Sequence, residues 1–113
     1  MLGCDIAEID RIRKAYDRFG EKFLNKVLSE REKAIFLQRN KNGITFLAGR
    51  FAAKESVAKS LKTGLGELWF NDIEILHDAN GAPEVYIRGE RRADIEVSIS
   101  HGRDYAIAVS VIR

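Results

Sequence analysis

The residues whose types and spacing could do chemistry are few: Asp5 near the start of the chain, Lys54, Glu55 and Lys59 on its central segment, and His101 late in the sequence. They make an inventory for phosphate chemistry. Magnesium takes one or two protein carboxylates and completes its shell with water and substrate phosphate, so Asp5 and Glu55 would suffice without a His or Cys ligand. Lysines nearby would offset phosphate charge. Covalent catalysis is poorly supported, because there is no cysteine with a histidine partner, no G-x-S-x-G elbow and no Walker loop. The single Cys4 excludes an internal disulfide and a cysteine-type zinc site. His101 sits at a strand-to-turn junction, where it also reads as a side chain that bonds local backbone. Asp5 and Glu55 lie far apart in sequence, so the fold has to bring them together.

The element that must present Glu55 is the stretch from Gly43 to Leu61. Ile44, Leu47, Phe51, Ala58 and Leu61 form one apolar stripe at helical spacing, which predicts an amphipathic helix from about Thr45 to Lys62. Lys54 falls inside that stripe, and Glu55 lies on its flank with Lys59 and Lys62. Burying charge costs several kcal/mol, on the order found for real proteins, unless it is paired or metal-bound, so a helix that breaks its own pattern this way is a candidate site. A surface Glu55–Lys59 pair with a snorkelling Lys54 gives the same pattern. The helix should stop at Thr63-Gly-Leu-Gly66, a loop able to approach a phosphate closely or simply to cap and turn the chain.

Around this helix the sequence predicts a strand over Met1 to Ile6 that presents Asp5 at its end, then a helix carrying Ile9, Ile12, Tyr16 and Phe19. Arg11, Lys14 and Arg18 line the opposite side of that helix, and Lys22 extends the row if the helix runs through Gly20. Ser29 and Glu32 match a capping box for a further helix, which Asn40-Lys-Asn-Gly43 should end. Phe70 to His77 and Pro83 to Arg88 read as a hairpin around Asp78-Ala-Asn-Gly81. Ile95, Val97 and Ile99, then Tyr105, Ile107, Val109 and Val111, read as a second hairpin whose Ala106, Ala108 and Ser110 offer a small-residue face for a helix. A strand, helices and then antiparallel strands argue an α+β fold in one domain spanning 1–113.

Net charge is only +2, yet residues 11–41 hold ten Lys or Arg against four Asp or Glu. That basic block could meet an acidic protein, nucleic acid or an acidic membrane, or be a solvated helical surface. No stretch has the length of a membrane span and the first residues lack the apolar run of a signal peptide, so a soluble, cytoplasmic protein is expected.

Three stretches taken together, GCDIAEIDRI from Gly3 to Ile12, FLAGRFAAKE from Phe46 to Glu55 and SISHGRDYAIAV from Ser98 to Val109, resemble the bacterial holo-acyl-carrier-protein synthases, the short class of 4'-phosphopantetheinyl transferases. The likeness covers nearly the whole chain, including Thr63-Gly-Leu-Gly66 and Asn80-Gly-Ala-Pro83. Cys4 stands where the family usually has an aliphatic residue, Lys62 where glycine is common, and Gly102 where Thr or Ser is usual. The resemblance implies Mg2+-dependent transfer of 4'-phosphopantetheine from coenzyme A to a serine of apo acyl carrier protein, in support of fatty acid biosynthesis, with release of adenosine 3',5'-bisphosphate. It makes Asp5 and Glu55 the metal ligands and Lys59 the residue that neutralises the leaving group. Arg50, Lys54, Lys59, Lys62, Gly64, Pro83 and His101 become coenzyme A contacts, with a structural Lys54 paired inside the core as the alternative for that residue. For the serine proton, a water positioned on the ion by Asp5 or Glu55 is the first expectation and His101 the second. Arg11, Lys14, Arg18 and Lys22 would dock the acidic carrier protein, and a homotrimer with sites between subunits is implied. The alternative is a small nucleic-acid-binding α+β module that stacks bases on Trp69, Phe70 or Tyr86, which leaves Asp5 and Glu55 without a role.

Overall fold

The computed structural model describes residues 1–39, 41–61 and 68–113. It is an α+β fold. Strand β1 (Leu2–Glu8) leads into helix α1 (Ile9–Phe19), followed by α2 (Glu21–Val27), α3 (Glu30–Gln38) and the long α4 (Gly43–Ser60). A 3-10 turn (Phe70–Asp72) then precedes β2 (Ile73–His77), β3 (Pro83–Ile87), the short β4 (Glu90–Arg91), β5 (Ile95–His101) and β6 (Tyr105–Ile112). Two antiparallel sheets result, ordered β1-β6-β5 and β2-β3-β4.

Helix α4 lies on the first sheet through a seam of small residues. In β1, Gly3, Asp5 and Ala7 share the face turned to the helix, because alternate residues of a strand point the same way. Strand β6 supplies Ala106, Ala108 and Ser110, all buried. The register sets Gly3 opposite Ser110 and Asp5 opposite Ala108. With no bulky side chain between them, helix and strand come close enough for the Ser110 hydroxyl to donate to the Ser56 carbonyl at 2.8 Å and lie 3.0 Å from the Ser60 hydroxyl. The remaining core is conventional. Leu47, Val57, Ile73, Ile75 and Val85 are almost fully buried between α4 and the second sheet, each such side chain contributing about 1.5–3 kcal/mol.

Several boundaries differ from the sequence expectation. Gly20 adopts φ +56°, a conformation that favours glycine, and ends α1, so Lys22 sits on a separate helix. Gly43 opens α4 instead of closing α3, because the ring of Phe36 packs over it, 3.1 Å from where a Cβ would stand. Phe70 to Asp72 forms a 3-10 turn instead of the first strand residues, with the Trp69 amide donating to the Asp72 carboxylate at 3.0 Å. Strand β4 was not expected. It arises because Arg88 and Gly89 both take positive φ, 51° and 83°, the two-residue turn whose twist matches a hairpin. The Asp78 turn, both long hairpins and the Ser29–Glu32 capping box form as read.

Candidate active site

Two neighbouring rows of α4 divide its chemistry. Residues four apart share a helix face, so Phe51, Glu55 and Lys59 form one row and Phe46, Arg50 and Lys54 the next. The first row faces β1. Asp5, projecting from β1 on the same side as Gly3 and Ala7, accepts a hydrogen bond on Oδ1 from Lys59 Nζ at 2.9 Å, and the Cys4 carbonyl accepts a second at 3.1 Å. Lys59 therefore pairs with Asp5, fifty-four residues away in sequence, instead of making only the local pair with Glu55. Glu55 is half-buried beside them. Burial, and then the Asp5 charge, hold its carboxyl above the ordinary glutamate range, while Lys59 pulls the other way. The hydrogen bond and charge of Asp5 raise the Lys59 ammonium in turn. Asp5 and Glu55 open on a cavity of about 430 Å3 walled by Ile12, Phe23 and Phe51, with Arg11 at its edge.

Two carboxylates that repel one another, both reached from one opening, suit a hard divalent cation. Magnesium needs no more than one or two such ligands when water and phosphate complete its shell. Among the described residues no group of three or more His, Cys, Asp or Glu gathers, so a metal held here would rest on these two and on substrate oxygen. The donor set fits that ion.

The second row faces elsewhere. Arg50 crosses to β2, donates from Nε to the Ile75 carbonyl at 3.1 Å, and places one Nη 3.1 Å from His77 Nδ1. Its guanidinium also lies 4.4 Å from the centroid of the Phe46 ring, whose other cation is Arg39 at 4.8 Å. Burial pushes Arg50 down to about 10, so it remains charged at neutral pH. Burial, and then Arg50 and Arg39, lower His77, which keeps its ring neutral and able to accept from Arg50. Arg50, Pro83 and His101 line a cavity of about 450 Å3 together with Arg39 and His77. Neither Arg39 nor His77 stood out in the sequence, since one is a single cation at a helix end and the other a single histidine at a strand end.

The expected coenzyme A contacts are thus separated: Lys59 is held on Asp5, beside the cavity that the expected metal ligands Asp5 and Glu55 line, whereas Arg50, Pro83 and His101 line another. Lys54 belongs to neither. Its ammonium is fully buried, donating to Glu32 Oε1 at 2.5 Å and to the Val27 carbonyl at 2.6 Å, so the expected phosphate contact gives way to a core ion pair. Lys62 and Gly64 lie outside the described residues. Along the basic row, Arg11 is exposed at the carboxylate cavity, Lys14 pairs with Asp10 at 3.1 Å and Arg18 lies over the Phe19 ring at 5.1 Å.

The same geometry argues against base stacking. Phe70 packs edge-on against Phe51 at 5.3 Å, and Tyr86 is covered by the Arg31 guanidinium at 5.3 Å, which leaves Trp69 alone exposed.

A long helix laid on an antiparallel sheet, with an Asp of the first strand and a Glu of the helix lining one cavity, is the frame to set beside known proteins. The model of the 4'-phosphopantetheinyl transferase superfamily matches residues 1–110, and the chain belongs to that family. A holo-[acyl-carrier-protein] synthase of Geobacillus sp. is 49% identical over 113 residues, spanning 98% of this chain and 93% of the relative. Among solved structures, holo-[acyl-carrier-protein] synthase from Neisseria meningitidis aligns with a TM-score of 0.87 at 34% identity, covering 99% of this chain and 96% of that one. The Helicobacter pylori enzyme in complex with coenzyme A aligns at 0.85 with 35% identity over the whole of both chains. Among the described residues no helix is long and apolar enough to cross a membrane.

Proposed function

We propose that this protein transfers 4'-phosphopantetheine from coenzyme A to a serine hydroxyl of an acidic apo acyl carrier protein, and so supports fatty acid biosynthesis in the cytoplasm. The observation that carries this reading is the cavity lined by both Asp5 and Glu55, with Lys59 bonded to Asp5 beside it, in a chain whose relatives are named for the activity. In the reaction a bond forms from the serine oxygen to the pantetheine-side phosphorus, the pyrophosphate P–O bond breaks, the serine proton leaves and adenosine 3',5'-bisphosphate departs. Asp5 and Glu55 would hold Mg2+, which when bound supplies charge neutralisation at the pyrophosphate. Lys59 would offset charge that grows on the departing phosphate, giving up its pair with Asp5.

A phosphate-binding group and a carboxylate pair on separate cavities favour an assembly in which neighbouring copies complete each site. Leu2, Ile6, Tyr105, Ile107 and Val109 are exposed on the outer face of β1 and β6. An apolar face of that extent on a small domain is a natural seat for another copy, and a homotrimer is the assembly proposed. Arg11 edges the carboxylate cavity, and with Lys14, Arg18 and Lys22 it would steer an acidic carrier toward it.

The test is the intact mass of an acidic apo acyl carrier protein after incubation with this protein, coenzyme A and Mg2+, beside an EDTA control. A gain of one phosphopantetheine only with metal is expected; no gain with several carriers would overturn the reading. Docking predicts a second result. Reversing the charge of Arg11 and Lys14 together should raise the KM for the carrier by about tenfold, at the low end of electrostatic steering effects, with little change in kcat. Raised salt should do the same to the unmodified protein. An unchanged KM in the charge-reversed variant sinks the docking surface.

A further inference from the structure

Glu32 is fully buried, and as the N3 residue of α3 it would need only to complete the capping box. It does much more. Oε1 accepts from the Ser29 amide at 2.9 Å and from Lys54 Nζ at 2.5 Å. Oε2 accepts from the Ile75 amide at 2.9 Å and lies 4.0 Å from Arg50 Nε. One carboxylate thus ties α3 to β2 and faces both cations of the second α4 row. Lys54 has a further acceptor in the Val27 carbonyl. Arg50 has the Ile75 carbonyl and the His77 ring, while Arg39 adds positive charge nearby and Arg50 and Lys54 repel one another. Glu74, the other carboxylate of this region, is taken up by Arg31 and by the Ser29 hydroxyl at 2.6 Å. Glu32 is therefore the anion that offsets Arg50, and the Ile75 backbone that aims Arg50 is held by the same oxygen.

We infer that Glu32 is a positioning residue for anion binding: through Oε2 and the Ile75 backbone it fixes the Arg50 guanidinium at the second cavity, and so sets coenzyme A affinity without touching coenzyme A. The ligand named here rests on the functional reading above; the geometry of Glu32 does not. A merely structural role is separable, because Lys54 and Arg50 draw on different oxygens. Replacing both members of a buried ion pair by neutral side chains tends to restore stability that the loss of one removes. It cannot return to Arg50 its carboxylate.

The experiment compares thermal midpoint and coenzyme A dissociation constant, by calorimetry with Mg2+ present, for the unmodified protein and for Arg50→Met, Glu32→Gln, Lys54→Met and Glu32→Gln/Lys54→Met. Glu32→Gln should lower the midpoint and weaken coenzyme A by about tenfold or more, the range found when an outer partner of a binding residue is removed. Lys54→Met should lower the midpoint and weaken the affinity far less than Glu32→Gln does, because Lys54 draws on Oε1 and Arg50 faces Oε2. The double variant should regain much of the midpoint and keep the weakened affinity. If affinity recovers with the midpoint, or falls as far in Lys54→Met, Glu32 is structural and the inference is overturned; the double variant decides this even if Glu32→Gln does not fold. Arg50→Met that binds coenzyme A normally also overturns it, whereas an unmodified protein with no coenzyme A affinity overturns the functional reading itself.

Discussion

Exchanging Glu55 for Gln should reduce turnover by at least ~10³-fold while leaving the protein as stable as before or more so. The loss follows from charge, since Gln keeps the size and polarity of the side chain. If Asp5 and Glu55 hold the cation as proposed, the exchange removes half of its protein charge, and several kcal/mol of transition-state stabilisation at about 1.36 kcal/mol per decade gives that factor. The stability side has the opposite sign. Burial and the neighbouring Asp5 raise the Glu55 carboxyl in the folded state, so folding disfavours its ionised form. The folded state binds more protons than the unfolded one between the unfolded value, about 4.3, and the raised folded value. Ionised Glu55 is thus a burden fully present above the folded value and absent below the unfolded one. In metal-free buffer the variant should melt at or above the unmodified protein at pH 7, and the gain should vanish near pH 4. Near-normal turnover of the variant at limiting Mg2+ would remove Glu55 from the metal site. A lower midpoint at pH 7 would mean that its carboxylate makes a stabilising contact instead.

That conflict between stability and function is the kind of signal a sequence does carry. Lys54 and Glu55 interrupt an apolar helix, and the interruption marks both sites, although for different reasons. Glu55 lines one cavity with Asp5. Lys54 turns inward to Glu32, twenty-two positions earlier, and the capping box that correctly placed Glu32 also disguised it, because one local role seemed to use the residue up. The strands were legible in two ways: alternation over Ile95 to Ile99 marks the buried face of β5, whereas in β6 it is the small residues Ala106, Ala108 and Ser110 that meet α4 and the bulky Tyr105, Ile107 and Val109 that face outward. Helix ends were not. The pattern from Ile9 to Phe19 runs on into Phe23 and Leu24, and a glycine inside it costs only ~1 kcal/mol relative to alanine, too little to show that Gly20 would take positive φ. Gly43 reads as a helix stop by residue type, yet it is glycine because Phe36 covers it. Arg50 and His77 meet only because β2 runs beside α4, a relation that no local period encodes.

Alanine at Gly3 should cost both the fold and the chemistry, although nothing about the backbone conformation there demands glycine. Its φ is not in the left-handed region, so the requirement is space alone. A Cβ on Gly3 would stand 2.1 Å from the Ser56 carbonyl oxygen, 2.9 Å from the Ser60 amide nitrogen and 3.1 Å from the Ser110 hydroxyl. The first two are backbone atoms of a rigid helix and cannot turn aside. Either β1 lifts from α4 or the variant does not fold, and overpacking typically costs about 1–3 kcal/mol, occasionally more. With contacts this short the upper end is expected, a fall in midpoint on the order of 10 °C or more for a domain of this size. If β1 lifts, Asp5 moves with it, two residues along the same face, and draws away from Glu55 and Lys59. A displacement near 1 Å is worth about 10²-fold in rate, so the folded fraction should also turn over poorly. Gly49→Ala supplies the contrast. Its nearest neighbour would be the Ile99 Cγ2 methyl at 3.2 Å, a side-chain atom that can yield, and alanine is favoured inside a helix by ~1 kcal/mol. That variant should melt within a few degrees of the unmodified protein. Should Gly3→Ala do likewise and retain full turnover, the close seam between β1 and α4 is not what sets Asp5 against Glu55.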